Sequence, residues 1–326
     1  MPWLGLSMNI AKRFELIKRN TEEIVTEDEL KRLLEKKKHP IVYCGYEPSG
    51  PLHLGHFVTV NKLMDFAEAG FKLKILIANI HAFLNRKGNE QEIRKQVELW
   101  KKTINLLGLD AEIVLGGHFQ LQEDYQTDVI RLAQAVTINR GLRSMQEIAR
   151  DVNNATVSQL LYPLMQVLDI KYLGADVALG GMEQRKVHMI GRDMEKTLNY
   201  KFIAVHTPLI SSLKGPKQKM SSSLPETIIS FKDSHDEIKS KVKNAYCPEK
   251  KIEGNSLLQI ARLVIFPKIK ELEISRNEKF GGDLKFSKYQ ELETIYKKGD
   301  LHPLDLKNAV VEYLDTIIAP IRKKLK

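Results

Sequence analysis

Ile41-Val42-Tyr43-Cys44-Gly45-Tyr46-Glu47-Pro48-Ser49-Gly50-Pro51-Leu52-His53-Leu54-Gly55-His56 is the stretch whose reading decides the fold. Its first six residues are a short apolar run, and Gly50-Pro51 breaks it. The remainder, closed by two histidines three apart, has the form of a loop that opens a helix. Four more runs share this texture: residues 73–78, residues 112–115 ending at Gly116-Gly117, residues 176–179 ending at Gly180-Gly181, and residues 202–206 ending near Pro208. Helical patterns separate them, the longest over residues 90–107. Short apolar strands alternating with helices are parallel β/α units, which predicts an α/β fold with a doubly wound parallel sheet. The interval from His118 to about Leu173 is too long for one crossover helix and predicts a helical insertion, placed at about 118–160.

Working outward, residues 8–38 read as helical and charged, with Thr26-Glu27-Asp28-Glu29 a capping start. After Pro225 the texture changes. Ser234-His235-Asp236-Glu237 is a capping box that opens a helix to about residue 246, and helical patterns cover residues 256–264, 289–297 and 304–318. The expected organisation is an N-terminal helical segment (1–38), the sheet domain (39–225) and a mainly helical C-terminal domain (226–326).

Composition narrows the class. In 326 residues, 43% hydrophobic and 28% charged is an ordinary globular mixture, which argues against disorder and fibrous repeats. No stretch approaches the about 20 apolar residues of a bilayer span. The opening Met1-Pro2-Trp3-Leu4-Gly5-Leu6-Ser7 is too short an apolar run for a signal peptide, so a soluble, cytoplasmic protein with no membrane partner is expected. Cys44 and Cys247 stand in unrelated contexts, so neither a disulfide framework nor a zinc cluster is expected, and no metal-ligating residues are assigned. A net charge of +10, spread along the chain, suits a polyanionic partner such as RNA.

In a doubly wound sheet, ligands bind beyond the carboxyl ends of the strands. The first such loop ends in His53 and His56. Gly55 permits close backbone approach, and a helix start presents N–H groups to an anion, so the loop is a nucleotide site, a metal pair or a surface feature. The last is Lys214-Gly215-Pro216-Lys217-Gln218-Lys219-Met220-Ser221-Ser222-Ser223, with three lysines in six residues. It reads either as a mobile basic loop that covers a triphosphate or as a solvated linker. A third feature lies in Ser158-Gln159-Leu160-Leu161-Tyr162-Pro163-Leu164-Met165-Gln166-Val167-Leu168-Asp169-Ile170, where Tyr162, Gln166 and Asp169 share one helix face. A polar stripe in an apolar helix must find partners once buried, as a structural network or as the wall of a ligand pocket.

His53-Leu54-Gly55-His56 after the first strand and Lys219-Met220-Ser221-Ser222-Ser223 after the last resemble the HIGH and KMSKS motifs of class I aminoacyl-tRNA synthetases. The third feature is similar to the archaeal and eukaryotic type of tyrosyl-tRNA synthetase, as are Tyr43-Cys44-Gly45-Tyr46-Glu47-Pro48-Ser49-Gly50, Gly180-Gly181-Met182-Glu183-Gln184-Arg185-Lys186 and Phe280-Gly281-Gly282-Asp283. The resemblance covers nearly the whole chain from Met8 onward. It implies a Rossmann-type catalytic domain, an anticodon-binding C-terminal domain, and activation of L-tyrosine by ATP followed by transfer to the 3′ end of tRNA(Tyr). Tyr43 and Asp169 would bond the substrate phenol, and Tyr162, Gln166 and Gln184 would hold its ammonium end, with Glu47 nearby.

The resemblance further implies transition-state contacts from His53, His56 and Lys219, with Ser222 and Ser223 on the same loop. ATP would meet Gly45, Pro48, Gly55, Gly181, Met220 and Ser222 as well, and Mg²⁺ would accompany it as a water-coordinated bridge between phosphates. Arg143 and Arg185 would lie near the tRNA acceptor stem, and Phe280, His302 and Asp305 at the anticodon, although His302-Pro303-Leu304-Asp305 also reads as a plain helix start. The insertion would form the interface of a homodimer. Two departures stand out. The motif's second lysine is Ser222 here, and Asn79 occupies a position where relatives usually carry Asp. A tryptophanyl enzyme of the same fold is the nearest alternative, and a non-catalytic tRNA-binding descendant is another.

Overall fold

The computed structural model describes residues 8–146, 154, 156–220 and 224–325. Its packing divides the chain into two compact units, Met1–Ser49 with Lys62–Pro208 and Gly50–Asn61 with Leu209–Lys326.

In chain order the first unit contains α1 (Ile10–Lys18), β1 (Glu23–Val25), α2 (Glu27–Lys36), β2 (Ile41–Tyr46) and the last residues of α3 (Leu54–Glu68). It continues with β3 (Lys72–Ile77), α4 (Asn79–Leu84), α5 (Glu90–Leu106), β4 (Ala111–Leu115), α6 (Glu123–Ala135), α7 (Ile138–Met145) and α8 (Val157–Tyr172). β5 (Val177–Gly181), α9 (Arg185–Asp193), the single turn α10 (Glu195–Leu198) and β6 (Ile203–Thr207) complete it. The six strands form one sheet in the order β1-β6-β5-β2-β3-β4. β2, β3, β4, β5 and β6 run parallel, so the five strands read from the sequence are the five parallel ones.

β1 corrects the reading of residues 8–38 as wholly helical: it pairs antiparallel with β6, Ile24 opposite Val205. Three residues are too few to show an alternating pattern, and the strand exists because the edge of β6 has backbone groups to satisfy. The helices around it follow their capping signals. Thr26 and Glu29 form the expected capping box of α2, and Asn89 and Glu92 one for α5. Tyr125, Leu164, Leu168 and Val187 build one apolar core. Another gathers Tyr43, Ile170, Ala178 and Phe202 on the sheet.

The second unit takes the start of α3 together with a hairpin of β7 (Ser211–Ser212) and β8 (Gly215–Lys219), α11 (His235–Lys243), α12 (Ser256–Ile260), the pair β9 (Leu272–Ile274) and β10 (Leu284–Phe286), α13 (Tyr289–Lys298) and α14 (Pro303–Leu325). Ser234 and Glu237 form the expected capping box of α11. Phe57 packs edge-on against Phe231 at 5.3 Å between ring centroids, and Leu258, Val264 and Leu314 are buried. Among the described residues no helix is long and apolar enough to cross a membrane.

Within the first unit, Lys62 is a buried cation, 2% exposed. Its ammonium donates to the Ile17 carbonyl at 2.9 Å, to the Arg19 carbonyl, and to Asp65 at 2.9 Å, tying the end of α1 to α3. Removing the acid leaves that ammonium under-compensated. Asp65→Ala is therefore expected to cost about 3 kcal/mol in guanidinium unfolding, far more than truncation of an exposed acid such as Glu68.

Candidate active site

α8 carries Tyr162, Gln166 and Asp169, and all three are buried on the face expected from their spacing. Asp169 is fully enclosed. Its Oδ1 accepts from Gln120 Nε2 at 2.7 Å and from the Tyr125 hydroxyl at 2.8 Å. Its Oδ2 has no hydrogen-bond partner and lies 3.5 Å from His81 Nε2, which has none either. Burial pushes the Asp169 carboxyl up to about 7, against the pull of the Gln120 and Tyr125 bonds. Tyr43 reaches the same interior from β2, and its phenol is held well above the ordinary range by burial and then by the Asp169 charge. A Cβ on Gly45 would overlap the Tyr43 hydroxyl, so the glycine makes room for that group two residues earlier on the strand.

At the other end of the stripe, Gln166 Nε2 donates to Gln184 Oε1 at 2.9 Å, and Gln166 Oε1 is left without a partner. Gln184 in turn donates to Glu183 at 3.4 Å. The Tyr162 phenol is raised by burial, then by Glu47, Asp169 and Glu183, so these acids face a common interior. Glu47 accepts from Asn85 Nδ2 at 2.9 Å and lies 3.6 Å from Lys87. Burial raises its carboxyl, with Lys87 opposing. Pro48 is buried beside it, and Gly181 ends β5. Asn79 has a physical account here: its Oδ1 accepts from the Gly117 N–H at 2.9 Å, fixing the turn after β4 to the start of α4. A side-chain carbonyl suffices for that bond, so the charge of an Asp is not required.

Sequence reasoning missed Gln120, Tyr125 and His81. His81 follows the carboxyl end of β3, the position where ligand groups are expected in such a sheet, and that rule could have found it. Gln120 and Tyr125 lie in the insertion, with no periodic signal of their own.

In the second unit, the His53 and His56 rings lie 4.0 Å apart between centroids, tilted 44° to one another. His53 Nδ1 accepts from the Gly55 N–H at 3.1 Å, and His56 Nδ1 accepts from the His53 N–H at 3.3 Å. An accepting Nδ1 leaves the proton on Nε2 in both neutral rings. Burial lowers the His53 pKa well below its ordinary value, with His56 adding to it, and lowers His56 to about 4. Both are uncharged hydrogen-bond donors at neutral pH.

The expected free N–H groups at this helix start are taken. Leu54 donates to Ile229 O at 3.0 Å, Gly55 to the His53 ring, and His56 to His53 O at 3.0 Å. Gly55 serves the ring as well: a Cβ there would stand 2.8 Å from His53 Cε1. Within the lysine-rich stretch, where a loop was expected, residues 215–219 form β8, which pairs with β7 so that Lys219 lies opposite Ser211. Met220 is buried. Ser222 and Ser223 lie outside the described residues.

Arg143 and Arg185 line one surface depression of about 340 Å³ in the first unit, with Arg140 and Lys186. Arg185 is anchored by two bonds to Glu23, at 2.8 and 2.9 Å. In the second unit Phe280 is 62% exposed, and Lys279 lies 4.9 Å above its ring. His302 Nδ1 accepts from the Leu304 N–H at 3.1 Å at the start of α14, where Asp305 stands in the first turn. Arg276 connects the two turns, bonding Gly282 O at 2.9 Å and Asp300 O at 2.7 Å. Among the described residues no group of three or more His, Cys, Asp or Glu could hold a metal ion.

A family described as tRNA synthetases class I (W and Y) matches residues 35–319. A tyrosine–tRNA ligase of Methanocaldococcus jannaschii is 49% identical over 313 residues, 96% of this chain and 99% of the relative. One of Methanococcoides burtonii is 46% identical over 97% of this chain and 100% of its own. Among solved structures, a tyrosyl-tRNA synthetase of Archaeoglobus fulgidus complexed with L-tyrosine superposes with a TM-score of 0.93 at 46% identity, covering 98% of this chain and 100% of that one.

The raised Asp169 carboxyl has a consequence for stability. Its folded-state pKa lies above the unfolded value near 4, so the native state binds more protons between them. The contribution is full below about pH 4 and is lost as pH rises towards 7. Asp169→Asn, which stays neutral, should therefore gain stability relative to the parent between pH 5 and pH 8, measured as urea midpoints without ligands.

Proposed function

This chain belongs to the class I tRNA synthetases of the W and Y group, and from that premise we propose how its residues divide the work. The chain activates tyrosine with ATP and transfers the tyrosyl group to tRNA(Tyr). The observation that carries the assignment of the amino-acid site is the buried Asp169, with one carboxylate oxygen satisfied and the other open. Tyr43 and Asp169 hold the substrate phenol. Tyr162, Gln166 and Gln184 hold its ammonium group, helped by the negative field of Glu47. Phenylalanine would leave Asp169 Oδ2 unpaired, and a tyrosine-activating synthetase is itself a known illustration of how strongly a site built for a hydroxyl rejects its absence.

In the first step a tyrosine carboxylate oxygen attacks the α-phosphorus of ATP, and the bond to the bridging oxygen breaks to release pyrophosphate. In the second a hydroxyl of the terminal tRNA ribose attacks the tyrosyl carbonyl, and AMP leaves. Neither step needs a covalent enzyme intermediate, so positioning and charge stabilisation carry the rate. His53 and His56 direct Nε2–H donors at phosphate oxygens, and Lys219 supplies a cation, with Met220, Ser222 and Ser223 on the same segment. Gly45, Pro48, Gly55 and Gly181 are further nucleotide contacts, each assigned from its own motif in the sequence. Mg²⁺ bound to ATP would neutralise charge on the phosphates, held by the phosphates and water rather than by a protein cage.

Arg143 and Arg185, lining one basic depression, receive the acceptor stem. The C-terminal helical region, 226–326, reads the anticodon with Phe280 stacking on a base and His302 and Asp305 offering hydrogen bonds. The chain acts as a homodimer in the cytoplasm. Support for the dimer comes from Leu121, Ile130, Ile138 and Val157, each more than 60% exposed and all within the expected insertion.

Amino-acid-dependent ATP–pyrophosphate exchange tests this reading. Tyrosine should support exchange and tryptophan should not; the reverse result would overturn the pocket assignment. His56→Ala should lower kcat by about 10²- to 10³-fold, as for loss of one transition-state donor, and leave the KM for tyrosine little changed.

A further inference from the structure

Gln120, Tyr125 and His81 surround Asp169, and their hydrogens can be counted. The Gln120 amide has two hydrogens and two acceptors, Asp169 Oδ1 at 2.7 Å and His81 Nδ1 at 3.3 Å. The Tyr125 hydroxyl has one hydrogen and two acceptors, Asp169 Oδ1 at 2.8 Å and Met165 O at 2.7 Å. Gln120 is thus the donor that Asp169 and His81 can both depend on. By giving a hydrogen to His81 Nδ1, it leaves the imidazole proton on Nε2. The amide is held for this purpose. A Cβ on Gly116 would overlap Gln120 Oε1, so the glycine leaves the side chain its place.

The outcome is a matched pair of open groups in a closed interior. His81 is 1% exposed and Asp169 0%, and His81 Nε2 and Asp169 Oδ2 lack partners 3.5 Å apart. One is a donor and the other an acceptor. The His81 ring is set edge-on to Tyr162 at 4.6 Å, which fixes its plane. A hydroxyl is the group that satisfies both, since it accepts from one and donates to the other. Resting on the assignment of this interior to the tyrosine side chain, we propose that His81 is a further specificity-determining residue. Its Nε2–H donates to the substrate phenol oxygen while Asp169 Oδ2 accepts the phenol hydrogen, and Gln120 is the positioning residue that sets this polarity.

The groups facing Asp169 are Tyr43 from β2, His81 from α4, Tyr125 from α6 and Tyr162 from its own helix. None is a permanent cation, so hydrogen bonds decide how the phenol is held. Loss of the Gln120 donor also raises the Asp169 carboxyl, because that bond lowers it.

Pyrophosphate exchange with tyrosine and with phenylalanine, on the parent, His81→Phe and Gln120→Met enzymes, tests the proposal. His81→Phe should raise the KM for tyrosine roughly tenfold or more with kcat nearly kept, and leave exchange with phenylalanine unchanged or improved. Gln120→Met should act in the same direction and move the acid limb of kcat/KM for tyrosine to higher pH. Equal losses for both amino acids, or unaltered tyrosine kinetics in His81→Phe, would overturn it. Nitrogen-15 NMR of the parent protein needs no variant to fold: with its ring signals assigned through bond from the sequentially assigned backbone, His81 should carry its proton on Nε2, and a proton on Nδ1 would refute the polarity. If the parent supports no exchange with tyrosine, the site assignment itself fails, and that result is distinct from these.

Discussion

Asp169 is an acid with two neutral donors on one oxygen and an open second oxygen, and among the described residues neither Lys nor Arg pairs with it. That constraint organises the interior of the first unit. A cation would stabilise the carboxylate permanently and leave the ligand little to contribute, whereas neutral donors leave a deficit that a bound hydroxyl can supply. The cost appears as a carboxyl raised to about 7. On the proposed assignment selectivity follows from the same deficit, since a ligand without the hydroxyl leaves both open groups unpaired in an interior closed to solvent.

Close packing around this acid and around the histidine pair rests on three glycines rather than on special turns. Gly45 makes space for the Tyr43 hydroxyl, Gly116 for the Gln120 amide, and Gly55 for the His53 ring. Each lies within four residues of the side chain it accommodates, so the backbone itself is the floor on which a polar group is laid. An alanine at any of them would move the functional atom before it moved the chain. Glycine here is a positioning device, distinct from its usual role as a source of left-handed conformation.

Much of the architecture was legible because the parallel strands write themselves as short apolar runs, even β4, which is only partly buried. Residues 41–46, 73–78, 112–115, 176–179 and 202–206 each stood out, and each contains most of a strand. The i, i+4, i+7 stripe of Tyr162, Gln166 and Asp169 was visible for the same reason, as polar residues in an otherwise apolar helix. What escaped had no local signature. β1 has three residues and depends on the edge of β6. Gln120 and Tyr125 meet Asp169 across more than 40 residues of chain, through packing that no period encodes. The start of α3 misled in a different way: its amides were expected to be free, yet the side chain of His53 and nearby carbonyls satisfy them. A helix start predicts unsatisfied donors and says nothing of what the fold brings to them.

The histidine pair shows what burial contributes to the chemistry proposed for it. A protonated imidazole would attract a triphosphate strongly before any reaction and so stabilise the ground state along with the transition state. Only the interaction that grows as charge moves onto the phosphate oxygens lowers the barrier. Enclosure removes the charge from His53 and His56, and backbone N–H groups pin the tautomer so that each ring carries its proton on Nε2. Such donors are modest partners for a resting phosphate and better ones for an oxygen gaining negative charge. The same logic accommodates Ser222 in place of a second motif lysine. With one cation fewer on that segment, fixed neutral dipoles must carry more of the stabilisation, and they need no reorganisation at the moment of reaction.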